Sequence, residues 1–405
     1  MREGNGLRQP WWWTDGGGGS EPPLPLPPDA GPFDVVIVGT DLAALWTAHL
    51  LLVRRPTLRI AVLAATPGGP GAGVDGTGCS SPLPGLLAVD GGDVEVPAGF
   101  ADRADRAAAA LVAAGVPLGE VRWRRGPSVA LAEDRPELAR CGLTLRNARR
   151  NGLAEDRLAW LEPVPGIRRP ALHGVLGMLW SGDGLALHPG WAARLLRRAL
   201  VDAGVTMAEV GDVQPRTGTG TGTGDGVVAD GQAVAAAAVV CAGYPAVAGL
   251  APPVAEGLQP TRWWHVVSEP IDDLTWGRLG WPVRQVVVLH GERGDVQAQH
   301  EPGGRLVWSW RPPAGARPRA RLRAVAGLDR RDPRDPVAAL RRSLTDRLPA
   351  GVEVTVAHHW AQDVATAGGV GRDPASGRWW VVAERDDPLS TFERAAQLAD
   401  RLPLP

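Results

Sequence analysis

The chain has 405 residues, of which 44% are hydrophobic and 21% are charged, and its net charge is −1. This length allows two domains with substantial cores, and the near-zero charge gives no electrostatic basis for binding nucleic acid or an anionic membrane. All 43 lysine or arginine positions hold arginine, which excludes chemistry that needs a Schiff-base or P-loop lysine.

Three cysteines and the start of the chain bear on its location. Cys79, Cys141 and Cys241 lie far apart without metal-binding spacing, and an odd number of them favours reduced thiols in the cytosol. The first residues lack the apolar core of a signal peptide, and no apolar run is long and uncharged enough to span a bilayer. We therefore expect a cytoplasmic protein with no membrane partner.

Residues 1–32 are rich in glycine and proline, a composition that predicts a disordered N-terminal arm. Three consecutive tryptophans, Trp11 to Trp13, interrupt this composition. The sequence leaves two alternatives open for them. Either the tryptophans dock on the folded body, or they remain on an exposed tail.

A strand–helix–strand unit follows the arm. Val35 to Val38 is a β-branched apolar run, typical of a strand buried in a parallel sheet. A helical pattern extends from Leu42 to Val53, and Leu58 to Ala64 forms a second apolar run. The unit takes about 30 residues, the size of a dinucleotide-binding βαβ unit, in which a glycine-rich turn presents backbone N–H groups to a pyrophosphate.

The turn departs from the expected G-x-G-x-x-G pattern. Asp41 stands at the second position, where the backbone normally approaches phosphate without a Cβ atom. A carboxylate about 4 Å from a phosphate charge repels it by on the order of 4 kcal/mol at an effective dielectric of ~20. The second strand also ends in Ala64 and Ala65, without the acid that would hold a ribose. We predict that Asp41 is a helix N-cap.

The rest of the chain mixes the two periodicities. Helices are predicted at residues 101–114, 136–150, 191–203, 335–347 and 388–402. Strands are predicted at 121–124, 128–132, 175–180, 204–210, 233–243 and 352–358. Four more β-patterned segments, at 263–268, 283–290, 296–300 and 305–310, lie between helix-bearing parts. This arrangement favours a mainly antiparallel sheet inserted in an α/β domain.

Seven short blocks occur in a shared order along the chain. They are residues 45–48, 58–63, 71–80, 187–189, 239–243, 267–270 and 304–308. In this order they resemble the D-amino-acid oxidase/glycine oxidase superfamily of FAD-dependent oxidoreductases, in particular the bacterial branch similar to gamma-glutamylputrescine oxidases. The resemblance implies an α/β fold, with an FAD/NAD(P)-binding Rossmann-type domain and an inserted, mainly antiparallel β substrate domain.

The resemblance also implies domain limits, a cofactor and a substrate class. We expect the FAD-binding domain at 33–120, 170–258 and 350–405, and the substrate domain at 121–169 and 259–349. The substrate would be a small amine or amino acid. The residues expected at FAD are Gly39, Thr40, Asp41, Leu42, Ala43, Ala44, Ala64, Ala65, Gly71, Ala72, Gly73, Gly76, Thr77, Gly78, Val213, Ala242 and Gly243.

The motifs expected to contact flavin match the family pattern less well than the other blocks do. Gly73, Asp75 and Gly76 replace a serine, an arginine and an asparagine, and the segment from Ala383 to Thr391 lacks the glycines expected before the last helix. Two functions therefore remain open. One is an oxidoreductase that passes hydride from a C–N bond to flavin, and the other is a flavin-free relative that acts as a binding or assembly protein. A nicotinamide-dependent dehydrogenase is disfavoured because it needs the same intact turn.

No catalytic residue stands out in the sequence, and no metal site is expected. Arg262, Arg284 and Arg372 are candidates for binding a substrate carboxylate. His188 precedes Pro189, and we predict that it sets the start of a helix. Trp263 either walls a cavity of the substrate domain or fills its core, and the sequence leaves both alternatives open.

Overall fold

The computed structural model describes residues 10–15, 24–29, 31–39, 41–65, 78–87, 99–150, 157–161, 170–216, 226–281, 285–291, 294–311, 336–365, 368–383 and 387–403. The helices within these ranges are α1 (Trp11–Asp15), α2 (Leu42–Arg54), α3 (Leu83–Leu87), α4 (Phe100–Ala113), α5 (Arg135–Arg150), α6 (Pro189–Asp202), α7 (Tyr244–Leu250), α8 (Pro252–Gly257), α9 (Asp273–Leu279), α10 (Pro336–Arg347) and α11 (Pro388–Arg401).

The strands carry the numbers β1 to β20. They are β1 (Phe33–Val38), β2 (Ile60–Ala65), β3 (Cys79–Ser80), β4 (Arg124–Arg125), β5 (Ser128–Ala132), β6 (Leu158–Leu161), β7 (Gly177–Ser181), β8 (Leu185–Ala186), β9 (Thr206–Val210), β10 (Val213–Pro215), β11 (Val227–Ala229), β12 (Gln232–Val234), β13 (Ala236–Ala242), β14 (Pro260–Ser268), β15 (Val286–Gly291), β16 (Gly294–Glu301), β17 (Arg305–Arg311), β18 (Val356–Ala365), β19 (Gly369–Arg372) and β20 (Trp379–Val382).

The first large sheet has the order β19-β20-β13-β1-β2-β9, with only the edge strand β19 antiparallel. Val36 lies beside Val239, and Val38 lies beside Cys241, so the two apolar runs share one sheet as predicted. Successive side chains of a strand point to opposite faces. One face packs against α2, α4, α6 and α11, and the other packs against α7 and α8. This is a Rossmann-type layer arrangement.

The second large sheet has the order β18-β14-β17-β16-β15-β5-β7-β6. All its strand pairs are antiparallel except β5 with β15. One face carries Val266 and Trp308 and forms an apolar core with α9 and α10. The opposite face approaches the first domain, where the Cys79 Sγ lies 3.7 Å from the Gln297 side-chain oxygen. The predicted inserted antiparallel sheet is thus confirmed.

The predicted helices after residue 100 are confirmed to within two residues at each end. The strand predictions at 128–132, 204–210, 263–268, 296–300 and 305–310 are also confirmed as strands. Cys79, Cys141 and Cys241 are buried and form no disulfide in the described part of the chain, and burial raises the pKa of the last two to about 12. Among the helices that the structure describes, none is long and apolar enough to cross a membrane.

Two strands cross the expected domain limits. Both β7 and β18 pair in the eight-stranded sheet, although the expected limits place residues 170–258 and 350–405 in the FAD-binding domain. β18 runs along all of β14, from Ala365 beside Pro260 to Val356 beside Ser268. Strand periodicity identifies a strand but does not state which sheet it joins, and these limits are therefore corrected here.

The strand predicted at 121–124 is largely a turn. Arg122 has a φ of 53°, a left-handed conformation that is incompatible with an extended strand. The strand here, β4, comprises only Arg124 and Arg125, which pair with β8.

The prediction of a disordered arm is wrong for residues 11–15, which form α1. Trp11 and Trp12 are buried, and they pack with residues of α6 and β18. Of the two alternatives for these tryptophans, docking on the body is therefore the observed one.

Candidate functional site

The turn between β1 and α2 needs glycine at two close approaches of the backbone. Gly39 has a φ of 151°, and a Cβ atom there would overlap the carbonyl oxygen of Ala242 at the end of β13. Gly243, the next residue of that segment, has a φ of 80°. The structure thus brings Gly39, Ala242 and Gly243 together, as expected for the turn of a dinucleotide-binding unit.

Asp41 is the N-cap of α2, as predicted. Its Oδ1 accepts a hydrogen bond from the Ala44 N–H at 3.0 Å. The other carboxylate oxygen lies against Gly243, where a Cβ atom would overlap it. Burial raises the pKa of Asp41 to about 6, because the surrounding protein disfavours the charged form more than the backbone hydrogen bonds favour it. The carboxylate therefore fills the position where the backbone of this turn would meet a phosphate.

We predict that Gly243→Ala destabilises the protein by about 2–4 kcal/mol, because the new Cβ meets the Asp41 carboxylate in a left-handed conformation. Gly249→Ala is the matched control in α7, since nothing lies within 4 Å of its Cβ position. Urea unfolding measures both variants. Combining Gly243→Ala with Asp41→Gly should recover part of the loss, and equal stability of the two alanine variants would contradict the prediction.

The end of β2 offers no acid of its own for a ribose. Ala64 lies beside Glu209 of β9, and Ala65 lies beside Val210. The Glu209 carboxylate accepts a hydrogen bond from Arg197 at 2.6 Å. The acid beside Ala64 on the neighbouring strand is therefore already paired with an arginine.

A second aspartate closes the N-terminus of α11. The Asp387 Oδ1 accepts hydrogen bonds from the N–H groups of Leu389 and Ser390 at 3.0 and 2.9 Å. It also accepts from the Ser80 hydroxyl at 2.9 Å. Burial raises the pKa of Asp387 to about 6. This cap was not predicted from the sequence, although Asp387 directly before Pro388 is the pattern of an N-cap followed by proline at the first helical position.

Gly78 is the one described residue of the glycine-rich loop expected at FAD. It has a φ of 69°, and a Cβ atom there would lie 2.8 Å from both the Gln299 side-chain nitrogen and the Leu187 carbonyl oxygen. The loop thus ends where the two large sheets meet. The expected FAD contacts Thr40, Gly71, Ala72, Gly73, Gly76 and Thr77 lie outside the described residues. Val213 lies on β10, in a separate sheet with β11 and β12.

A buried aromatic stack lies on the face of the eight-stranded sheet that is turned toward the first domain. The His265 ring stacks on Trp360 at 4.7 Å and on Trp263 at 6.3 Å. His265 Nδ1 forms a hydrogen bond with the Ser309 hydroxyl at 2.7 Å, and burial lowers the pKa of His265 to about 3. Among the described residues, His265 Nε2 and the indole nitrogens of Trp263 and Trp360 have no hydrogen-bond partner.

The described candidates from the sequence have other partners. Arg262 pairs with Asp363 at the protein surface, and Arg372 donates to the carbonyl oxygen of Gly377. Arg284 lies outside the described residues. His188 sets the start of α6 as predicted, because its Nδ1 accepts from the N–H of Trp191 at 3.1 Å. No cluster of metal ligands occurs among the residues that the structure describes.

The backbone of this turn is compatible with FAD, whereas the charge of the Asp41 side chain repels the phosphates of FAD. Gly39 and Gly243 allow this turn to pack closely on Ala242 and on the Asp41 carboxylate, and Leu42 to Ala44 form the first turn of a helix whose N–H groups favour an anion. Asp41 already accepts one of these N–H groups and carries a negative charge when ionised. A phosphate at this turn would therefore compete with the Asp41 carboxylate for the N–H groups of the helix.

A Rossmann-type sheet with this turn, joined to a large antiparallel sheet, defines the class of two-domain dinucleotide-binding proteins. Residues 34–385 match the family model described as DAO, FAD dependent oxidoreductase. Because this match covers most of the chain, the protein belongs to the DAO family of FAD-dependent oxidoreductases. No curated protein matches the sequence.

Solved structures share the fold at low sequence identity. Glycine oxidase from Geobacillus kaustophilus has a TM-score of 0.64 at 18% identity, with 92% of this chain and 95% of that chain covered. L-proline dehydrogenase from P. horikoshii has a TM-score of 0.63 at 13% identity, with 92% and 93% covered. Iminodiacetate oxidase from Chelativorans sp. BNC1 has a TM-score of 0.61 at 18% identity, with 91% and 97% covered. At these identities the likeness establishes the fold.

Proposed function

We propose that the protein is an FAD-dependent oxidoreductase that oxidises a C–N bond of a small amine or amino acid, and that its affinity for FAD is low. The observation that carries the proposal is the retained turn, in which Gly39 packs closely on the Ala242 carbonyl and α2 begins directly after it, while the Asp41 carboxylate takes one of the N–H groups that a phosphate would need. Family membership supports the cofactor. The names of the structural relatives, an oxidase of glycine, a dehydrogenase of L-proline and an oxidase of iminodiacetate, support the substrate class.

The residues that would hold FAD are Gly39, the first turn of α2, Gly243 and Gly78. When bound, the flavin supplies a two-electron acceptor for hydride from the carbon next to nitrogen. Trp263 and Trp360 make the surroundings of His265 apolar and water-poor, because both side chains are almost fully buried. His265 stays neutral above its pKa of about 3. It can therefore form a hydrogen bond with a substrate but cannot attract the substrate by charge. Ser309 fixes the orientation of its ring.

A second candidate function is that of a flavin-free relative that binds a small molecule or a protein. The capping of α2 by Asp41 and of α11 by Asp387 favours it, because both helix ends are satisfied by the chain itself. Buried N–H groups that already have partners gain little from a cofactor. The two candidates differ in one measurable property, which is whether the protein binds FAD.

Visible spectroscopy of the purified protein during titration with FAD tests the proposal. We expect the bands of bound, oxidised flavin, with an affinity that rises as the pH falls toward 6, because protonation of Asp41 removes negative charge beside the phosphates. Above this pKa the affinity should fall by at most about tenfold per pH unit. Riboflavin is the control ligand, because it lacks phosphates and its binding should not follow Asp41.

The substrate class is tested on the FAD-loaded protein without oxygen. Glycine, L-proline and iminodiacetate are mixed with it in turn, and loss of the oxidised flavin bands identifies a compound that is oxidised. Binding of FAD without bleaching by any small amine or amino acid would remove the substrate class from the proposal. If no flavin binds at any pH, the flavin-free candidate replaces the oxidoreductase.

A further inference from the structure

The arm helix α1 is inserted between the two domains, with Trp12 fully buried. The Trp12 ring lies 4.8 Å from the His188 ring and 6.4 Å from the Trp360 ring, measured between centroids. Its carbonyl oxygen lies so close to Gly190 that a Cβ atom there would overlap it. α6 of the first domain and β18 of the second sheet thus form the walls of a slot that one indole fills.

A carboxylate sits at the mouth of this slot. His188 Nδ1 accepts from the Trp191 N–H, so the ring proton is on Nε2, which donates to the Asp15 carboxylate at 3.1 Å. The Arg122 guanidinium lies 3.6 Å from the same carboxylate. The hydrogen bond from His188, with the charges of Arg122 and Arg305, holds the pKa of Asp15 below its usual range.

The surroundings of Asp15 favour an anion. Arg122 also pairs with Glu301, and Arg305 lies 3.5 Å from Glu269 while its guanidinium covers the Trp11 ring at 5.9 Å. With Asp15 removed, the Nε2–H of His188 and the guanidinium of Arg122 lose the carboxylate that they contact. The slot and these two groups together recognise an aromatic group that carries an acid.

We propose that α1 occupies a binding site for a small aromatic carboxylic acid, in which Trp12 stands in for the ring and Asp15 for the carboxylate. The ligand displaces α1, so the arm is an internal competitor that closes the site in its absence. Trp12 and Asp15 both contact His188. The indole and the carboxylate therefore lie close enough together for one small molecule to replace both. The proposal does not depend on FAD binding.

Full-length protein with Trp12→Ala and Asp15→Ala tests this inference, with indole-3-acetate as the probe. We expect the probe to raise Tm of this double variant and to bind at least tenfold more tightly than tryptamine, which has the same ring but an amine in place of the acid. Adding Arg305→Gln should reduce this preference for the acid by several fold. Equal binding of the two probes, or binding of neither, would overturn the proposal.

α9 supplies a matched control. Trp276 is buried there, stacks on His300 at 3.5 Å and follows the capping carboxylate of Asp272. Trp276→Ala with Asp272→Ala removes the same groups elsewhere, and it should not distinguish indole-3-acetate from tryptamine. The same preference in this control would show that any emptied tryptophan cavity suffices, and the proposal would fail.

Hydrogen exchange on the unaltered protein gives a test that does not require the variants to fold. Indole-3-acetate should speed amide exchange in residues 11–15 while leaving α2 unchanged, and tryptamine should have no effect. Exchange in residues 11–15 that does not respond to the acid, up to its highest soluble concentration, would show that α1 is a fixed structural element.

Discussion

Asp41→Gly should tighten FAD binding by up to about a thousandfold at neutral pH, which corresponds to ~4 kcal/mol of binding free energy. The variant removes a negative charge and a Cβ atom from the turn and frees the Ala44 N–H for a phosphate. The stability of the cofactor-free protein should change by less than ~1 kcal/mol, because the lost cap and the added backbone freedom oppose the removal of a buried charge. Flavin titrations and melting curves measure the two effects.

Asp41→Asn is the control that separates charge from shape. It removes the charge, keeps the Cβ atom and leaves an oxygen that can accept from Ala44. If charge dominates, Asn and Gly should tighten FAD binding similarly, and the dependence on pH near 6 should disappear in both. Unchanged affinity in both variants would show that this turn does not limit binding, and attention would pass to Asp387.

Restoring an acid at the end of β2 should help less than the family pattern suggests. Ala64 lies in register with Glu209 on the neighbouring strand β9. Ala64→Glu therefore places two carboxylates side by side, and Arg197 is already engaged with one of them. We expect Ala64→Glu to add little to the gain from Asp41→Gly, and a large additional gain would show that Glu209 does not repel the new carboxylate.

The turn and its cap could be predicted because their determinants are local. The run Val35 to Val38 has the composition of a buried strand, and Asp41 stands one residue before the helical pattern. The hydrogen bond of the cap spans only three residues, from Asp41 to Ala44. A side chain that accepts a backbone N–H so close in sequence needs no knowledge of the fold.

The burial of the second cap, Asp387, depended on the fold. Ser80 and Asp387 are 307 positions apart, and neither segment contains a pattern that predicts contact with the other. The segment before α11 was interpreted through its missing glycines and not through the proline that follows Asp387. The charge of this aspartate was visible in the sequence, and its burial was not.

The docking of α1 could not be predicted for a related reason. The composition of residues 1–32 is that of a flexible segment, and its three tryptophans carry no periodicity. The residues that hold Trp12 and Asp15 are distributed over Gly190, His188, Arg122 and Trp360. Each of these residues has another plausible role when read alone, so only their convergence in space identifies the site of docking.

Asp387→Asn should stabilise the protein at neutral pH by about 1–3 kcal/mol. The pKa of Asp387 is about 6 in the folded protein, compared with an unperturbed value of 3.8. The folded state thus binds this proton more tightly than the unfolded state, and its contribution to stability is fully present below the unfolded pKa. That contribution is lost as the pH rises from about 4 through 6, and it does not change further above this range. Asparagine keeps an accepting oxygen for Leu389 and Ser390 without the buried charge.

Urea unfolding of both proteins at a series of pH values measures the difference in the free energy of unfolding. Taking the difference removes the contributions of Asp15 and Asp373, whose lowered pKa values act in the opposite direction in both proteins. Asp272→Asn is the control, because this exposed N-cap of α9 has a lowered pKa and its removal should cost stability above pH values near 4. An advantage of Asp387→Asn that stays constant between acid and neutral pH would contradict the proposed burial of the charged carboxylate, since only a group that titrates in this range can make the difference vary.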